Sequence, residues 1–146
     1  MLQKLFNSFD PDKETDPRFG EVEIHFNEPD SSYYLMKDVL LDETHLSLTI
    51  ESKKKESTPQ QFELYNRIIT GFTDVLKAAY SFMAKQSPDG VSTDPCSKYQ
   101  PESIYIGDLG NFHANWELSF LNIEDGLTYS IVEFDGTTPV AVSIEE

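Results

Sequence analysis

Five carboxylates, Glu117, Glu124, Asp125, Glu133 and Asp135, fall within "WELSFLNIEDGLTYSIVEFDG", a stretch with no lysine or arginine. Residues of this type support three kinds of chemistry. Two carboxylates in a cleft, with their pKa values driven apart, can share acid–base work. Alternating oxygen ligands closed by a distal glutamate can hold calcium. An uncompensated acidic surface can steer a cationic partner. Glu124 and Asp125 stand beside Gly126, and Asp135 beside Gly136, where hairpin turns are expected. Acids at turn tips are expected to be solvated and unperturbed, so they do not make a catalytic pair. "NIEDG" also lacks the ligand spacing of a calcium loop. Two readings are left, a surface for a basic partner and the plain solvated outside of a sheet.

Other chemistry is sparse. His25, His45 and His113 show no metal-ligand spacing. Cys96 is the single cysteine, which excludes an internal disulfide, and it has no local histidine to activate it. "GDLG" at 107–110 lacks the third glycine and the following helix of a dinucleotide site. Lys53, Lys54 and Lys55 sit between acids in an acidic chain, a poor setting for nucleic acid. No catalytic residue, metal site or cofactor is therefore expected. Among the aromatics that could anchor a partner, Tyr33, Tyr34, Tyr99, Tyr105 and Trp116, alternation with Ile104 and Ile106 makes Tyr105 the best candidate for exposure.

Charge sharpens this picture. The 146 residues carry 26 acids against 11 bases, a net charge of −15. The last base is Lys98, so residues 99–146 hold nine acids and no base. Such a field repels nucleic acid and anionic membrane and speeds encounter with cations. The length fits one domain over 1–146 with a sizeable core, and 38% hydrophobic content is too high for a disordered chain. No run approaches a membrane span or a signal peptide, and a cytoplasmic location is the expectation.

The elements that must position these residues follow from periodicity. Residues 1–19 read as an irregular N-terminal extension. "GEVEIHF" alternates, with Val22, Ile24 and Phe26 on one side; "YYLMKDVLL" and "HLSLTIES" follow as strands. In "TPQQFELYNRIITGFTDVLKAAYSFMAKQ", Thr58 and Gln61 form a capping box and Pro59 takes the first helical position. One long amphipathic helix is expected there, burying Phe62, Ile69, Phe72 and Leu76, with Gly71 allowing close approach to the sheet. A proline-bounded loop spans 87–101. "SIYIG", "NWELSFL", "LTYSIVEF" and "PVAVSIEE" then form an antiparallel meander in which Glu117 faces outward. The face of Glu133 is open, since both sides of its strand are partly apolar. The fold class is α+β: an antiparallel sheet of strands, one long central helix and a C-terminal β-meander, in two layers.

Three stretches, "FGEVEI", "TPQQFELYNRIITGF" and "NWELSFLNIEDGLTYSIVEFDG", give residues 18–146 a layout that resembles small acidic bacterial domains of unknown function, similar in kind to immunity proteins of polymorphic-toxin systems. The resemblance implies a protein-binding inhibitor and carries over no catalytic residues. The expected function is a non-enzymatic protein-binding module, an immunity protein neutralising a basic toxin, with Glu117, Glu124, Asp125, Glu133, Asp135 and Tyr105 as partner-binding residues. The alternatives are a small-molecule binder or enzyme with a pocket between helix and sheet, and an acidic accessory or scaffold subunit.

Overall fold

A computed structural model describes residues 12–86, 95–108 and 115–146. Its strands are β1 (Asp12–Asp16), β2 (Gly20–Asn27), β3 (Ser32–Leu41), β4 (Thr44–Ser52), β5 (Tyr99–Ile106), β6 (Asn115–Asn122), β7 (Tyr129–Asp135) and β8 (Thr138–Glu145). Helices α1 (Pro59–Thr70), α2 (Phe72–Lys85) and the short α3 (Pro95–Lys98) lie between β4 and β5. The strands form one sheet in chain order, antiparallel throughout except that β4 and β5 are parallel. The expected all-antiparallel sheet is corrected at that one seam. A helical crossover brings the chain back to the end of the sheet where β4 began, so β5 must run alongside β4 in the same direction.

Alternation sets the two faces. Leu35, Leu46, Leu48, Ile50, Ile104, Ile106, Trp116, Leu118, Phe120, Val132 and Phe134 are buried on the helix side. The helices contribute Leu64, Ile68, Phe72, Val75, Ala79 and Met83 to the same core. That stripe begins at Gln61 and recurs at three- and four-residue steps, as a helix face requires. The expected stripe was rotated: Phe72 is buried, whereas Phe62, Ile69 and Leu76 are half-buried flanks, and Leu64 belongs inside.

The expected single helix is two. Gly71 ends α1 and starts α2, with φ −114° and ψ 30°. A Cβ added there would meet only the Arg67 carbonyl, at 3.9 Å, so close approach to the sheet is not its role. The capping box is present: Gln61 N–H donates to Thr58 Oγ1 at 3.2 Å, and Thr58 N–H donates to Gln61 Oε1 at 2.9 Å. Buried Gln61 also donates from Nε2 to the carbonyls of Glu51 (2.7 Å) and Gly107 (2.9 Å), tying α1 to the ends of the parallel strands.

Part of the expected N-terminal extension is ordered. β1 pairs with β2 through a turn closed by Gly20 at φ +76°. Its last residue, Asp16, is buried and accepts from the amides of Arg18 (3.0 Å), Phe19 (2.9 Å) and Ser57 (2.8 Å) and from Ser57 Oγ (2.7 Å). The hairpin is thereby fastened to the start of α1, and Phe19 packs edge-on against Phe62 and Tyr65. β5 also starts earlier than expected, at Tyr99, so the proline-bounded loop contains α3 and the first residues of a strand.

Candidate functional site

The face of the sheet opposite the helices carries the polar residues of each strand. Register across it places Tyr105 opposite Glu117, and Glu117 opposite Glu133. This settles the face of Glu133: Ser130, Val132 and Phe134 point into the core, so Tyr129, Ile131 and Glu133 line the open face. Ala141 and Glu145 of β8 continue the rows beyond Glu133 and Tyr129. From the other side, Tyr34 stands opposite Glu51.

These groups perturb one another. Tyr105 was expected to be exposed; it is half-buried and donates its hydroxyl to Glu51 Oε2 at 3.0 Å. Burial, then that hydrogen bond and the charge of Glu51, push its hydroxyl far above the usual phenol range. Tyr34 is raised as well, by burial and then by Glu51. Burial lifts the Glu117 carboxyl above its ordinary value, and the charges of Glu133 and Glu145 lift it further. Among the described residues the ion pairs are His25–Glu23, Lys55–Glu14 and Lys98–Glu124, so no cation neutralises Glu51, Glu117 or Glu133. A like-charge pair placed directly across two strands works against the sheet.

The five carboxylates of the opening stretch do not form one site. Glu117 and Glu133 stand opposite each other on β6 and β7, towards the β8 edge, and Glu117 is next to Tyr105. Glu124 sits in the β6–β7 turn, 3.7 Å from Lys98. Asp125, in the same turn, accepts from the amides of Leu127 (2.8 Å) and Thr128 (2.9 Å) and from Thr128 Oγ1 (2.5 Å). The Thr128 hydroxyl, then those amides, hold its carboxyl below the ordinary value, which corrects the expectation of an unperturbed turn acid. Asp135 lies at the far end of β7, opposite Asn115.

The remaining candidates sort themselves by burial. Trp116 is a core residue, stacked on Phe134 at 4.4 Å with its indole N–H donating to the Gly136 carbonyl at 2.6 Å. Tyr33 and Tyr99 pack against the core. His25 and His45 are exposed on separate strands, and no group of three or more potential metal ligands occurs among the described residues. Cys96 is exposed in α3. His113, residues 87–94 and the end of "GDLG" lie outside the described residues. No described helix is long and apolar enough to cross a membrane.

Two concavities occur, one outside the helices and one on the open face of the sheet at its β1–β4 end. One, of about 610 Å³, is a groove along the outside of α1 lined by Arg18, Phe62 and Arg67. The other, of about 410 Å³, opens where β2 and β3 diverge below the Glu23–Met36 pair, lined by Lys13, Glu21, Lys37 and Asp38. Glu51 is the member of the acidic face that sequence reasoning missed. Its parity with Ser47 and Thr49 was readable, but its place beside Tyr105 depends on the long-range β4–β5 seam. No family model matches the chain, and no curated protein or solved structure compared with it matches either.

Proposed function

We propose that the chain is a non-enzymatic protein-binding module whose open sheet face captures a basic protein, in the manner of an immunity protein that neutralises a basic toxin. The observation that carries this reading is the Glu117–Glu133 pair. The two carboxylates oppose each other, Glu117 half-buried and Glu133 exposed, and neither forms an ion pair among the described residues, on the face that carries Tyr105 and Glu51. A solubilising surface would gain nothing from setting like charges face to face, where they cost stability. A cationic side chain docked between them removes that cost, so binding recovers what folding loses. Tyr34 and Tyr105 supply the flat area and polar tips suited to a protein contact.

The test needs a cationic partner, identified by pull-down and purified. Replacing both residues, Glu117→Gln with Glu133→Gln, should slow association about tenfold at low ionic strength and flatten its salt dependence, since steering acts on the on-rate. The same double variant should be more stable than wild type when free, by about 0.2–1 kcal/mol, because the like-charge contact is gone. An unchanged on-rate and salt slope would return this face to ordinary solvated surface.

A further inference from the structure

We propose that the outer edge of β8, from Ala141 to Glu145, is where an extended segment of that partner adds as a further strand, with lysine or arginine alternating with apolar residues. This inference rests on the acidic-face reading and specifies how the partner is held.

The two edges of the sheet are built differently. β1 has five residues, "DKETD", charged at four positions and including Lys13. Short, charged strands are how sheets avoid edge-to-edge pairing. β8 has eight residues, "TPVAVSIE", with no lysine or arginine. Pro139 and the irregular register around Glu133 and Phe134 blunt only its beginning. From Ala141 onward its only charged residue is Glu145, and it ends the strand order, so its outer backbone groups have no strand partner among the described residues. Val140 is 55% and Ile144 71% exposed, both β-branched side chains suited to a pairing strand.

Charge selects the occupant. Two copies joined through β8 would bring together two base-free regions, each with nine acids in residues 99–146. Self-pairing therefore works against electrostatics. A basic strand works with it. On the open face, a residue set beside Ala141 lies two strand spacings, about 9–10 Å, from Glu133, a span that an extended lysine or arginine side chain crosses. A residue two positions along approaches Ser143, and the next Glu145. Lysine or arginine at these positions answers Glu133 and Glu145. The intervening residues face the helix side, beside Val142 and Ile144, along the strand that α2 packs against. Backbone bonds give affinity and the alternation gives specificity, as in strand addition generally.

The experiment uses the intact protein and three end-blocked peptides: one alternating lysine and valine, the same sequence N-methylated at alternate residues, and hexalysine. Binding is read by fluorescence anisotropy and edge pairing by amide hydrogen exchange. The alternating peptide should bind, slow exchange in residues 141–145, and lose at least about tenfold in affinity on N-methylation, since methylation removes donors and leaves charge intact. Glu133→Gln should weaken the parent peptide without speeding exchange at residues 141–145 in the free protein. Equal affinity of parent and methylated peptides, or binding without protection at 141–145, overturns the edge assignment and leaves the acidic-face reading standing. Failure of all three peptides to bind overturns both. Dimers that protect the same amides without peptide assign the edge to a second copy, and also overturn the proposal.

Discussion

Two carboxyl groups titrate in opposite senses, and the difference is visible in what surrounds each. Burial opposes ionisation of Asp16, but the Ser57 hydroxyl and amide and the amides of Phe19 and Arg18 outweigh it and lower its pKa below 3.8. Its contribution to stability is present above that ordinary value and lost as pH falls through the folded pKa. Glu117 is raised above 4.5, so its cost to the fold is full above its folded pKa and disappears as pH falls towards the unfolded value. Wild-type stability should therefore rise on mild acidification, then fall in stronger acid. Glu117→Gln should flatten the first limb, and Asp16→Ala the second. Asp16→Ala should also cost about 1–3 kcal/mol at neutral pH by leaving buried amides without an acceptor. Chemical denaturation across pH measures both limbs; an acid limb unchanged in Asp16→Ala would remove Asp16 from this role. Asp16 was not legible in the sequence because "DPDKETDPRFG" has no apolar period, and its partner Ser57 lies far along the chain.

Among the elements, strand identity was legible wherever one face is buried. Leu46, Leu48 and Ile50, and Trp116, Leu118 and Phe120, alternate with polar residues, and each set is buried as alternation implies. The start of α1 was legible too, because a capping box is a local pattern. The break at Gly71 was not, since the apolar period runs straight through it. Gly71 has a negative φ and open space at its Cβ position, so alanine fits there without strain. Gly71→Ala should stabilise by about 0.4–1 kcal/mol, chiefly by restricting the unfolded chain. A loss of stability in urea titrations would show that the junction needs glycine after all.

At the scale of the whole molecule, one core joins the helices to every strand from β2 to β7. Phe72, 1% exposed, stands at the start of α2 within it. Phe72→Ala should cost about 3–5 kcal/mol while leaving unfolding a single transition. Two separated transitions, read by circular dichroism and tryptophan fluorescence, would divide the molecule into independent parts. The candidate site was half legible at this scale. Charge asymmetry and strand parity pointed to Glu117, but the meeting of Tyr34, Glu51 and Tyr105 with it follows from the parallel seam. No local pattern encodes a pairing between residues as distant as Leu48 and Ile104. The turn acids misled for a related reason: Glu124 and Asp125 look equivalent to Glu117 in sequence, yet one meets Lys98 and the other builds its own turn.

The chain-order sheet also shapes how the molecule assembles. Every strand pairs with its neighbours in sequence, so β1–β4 and β5–β8 are each built from hairpins that close locally, on the microsecond scale typical of such units. Only the β4–β5 seam requires a long stretch of chain to be ordered before its contacts form. Loop-closure entropy is concentrated there, and the seam is the natural kinetic bottleneck. Gln61, bonded to the carbonyls of Glu51 and Gly107, clamps the ends of the two strands that bottleneck must join. The acidic face is completed at the same step: until β5 docks beside β4, Tyr105 has no Glu51 to meet, and the face that we propose for a partner is not yet built.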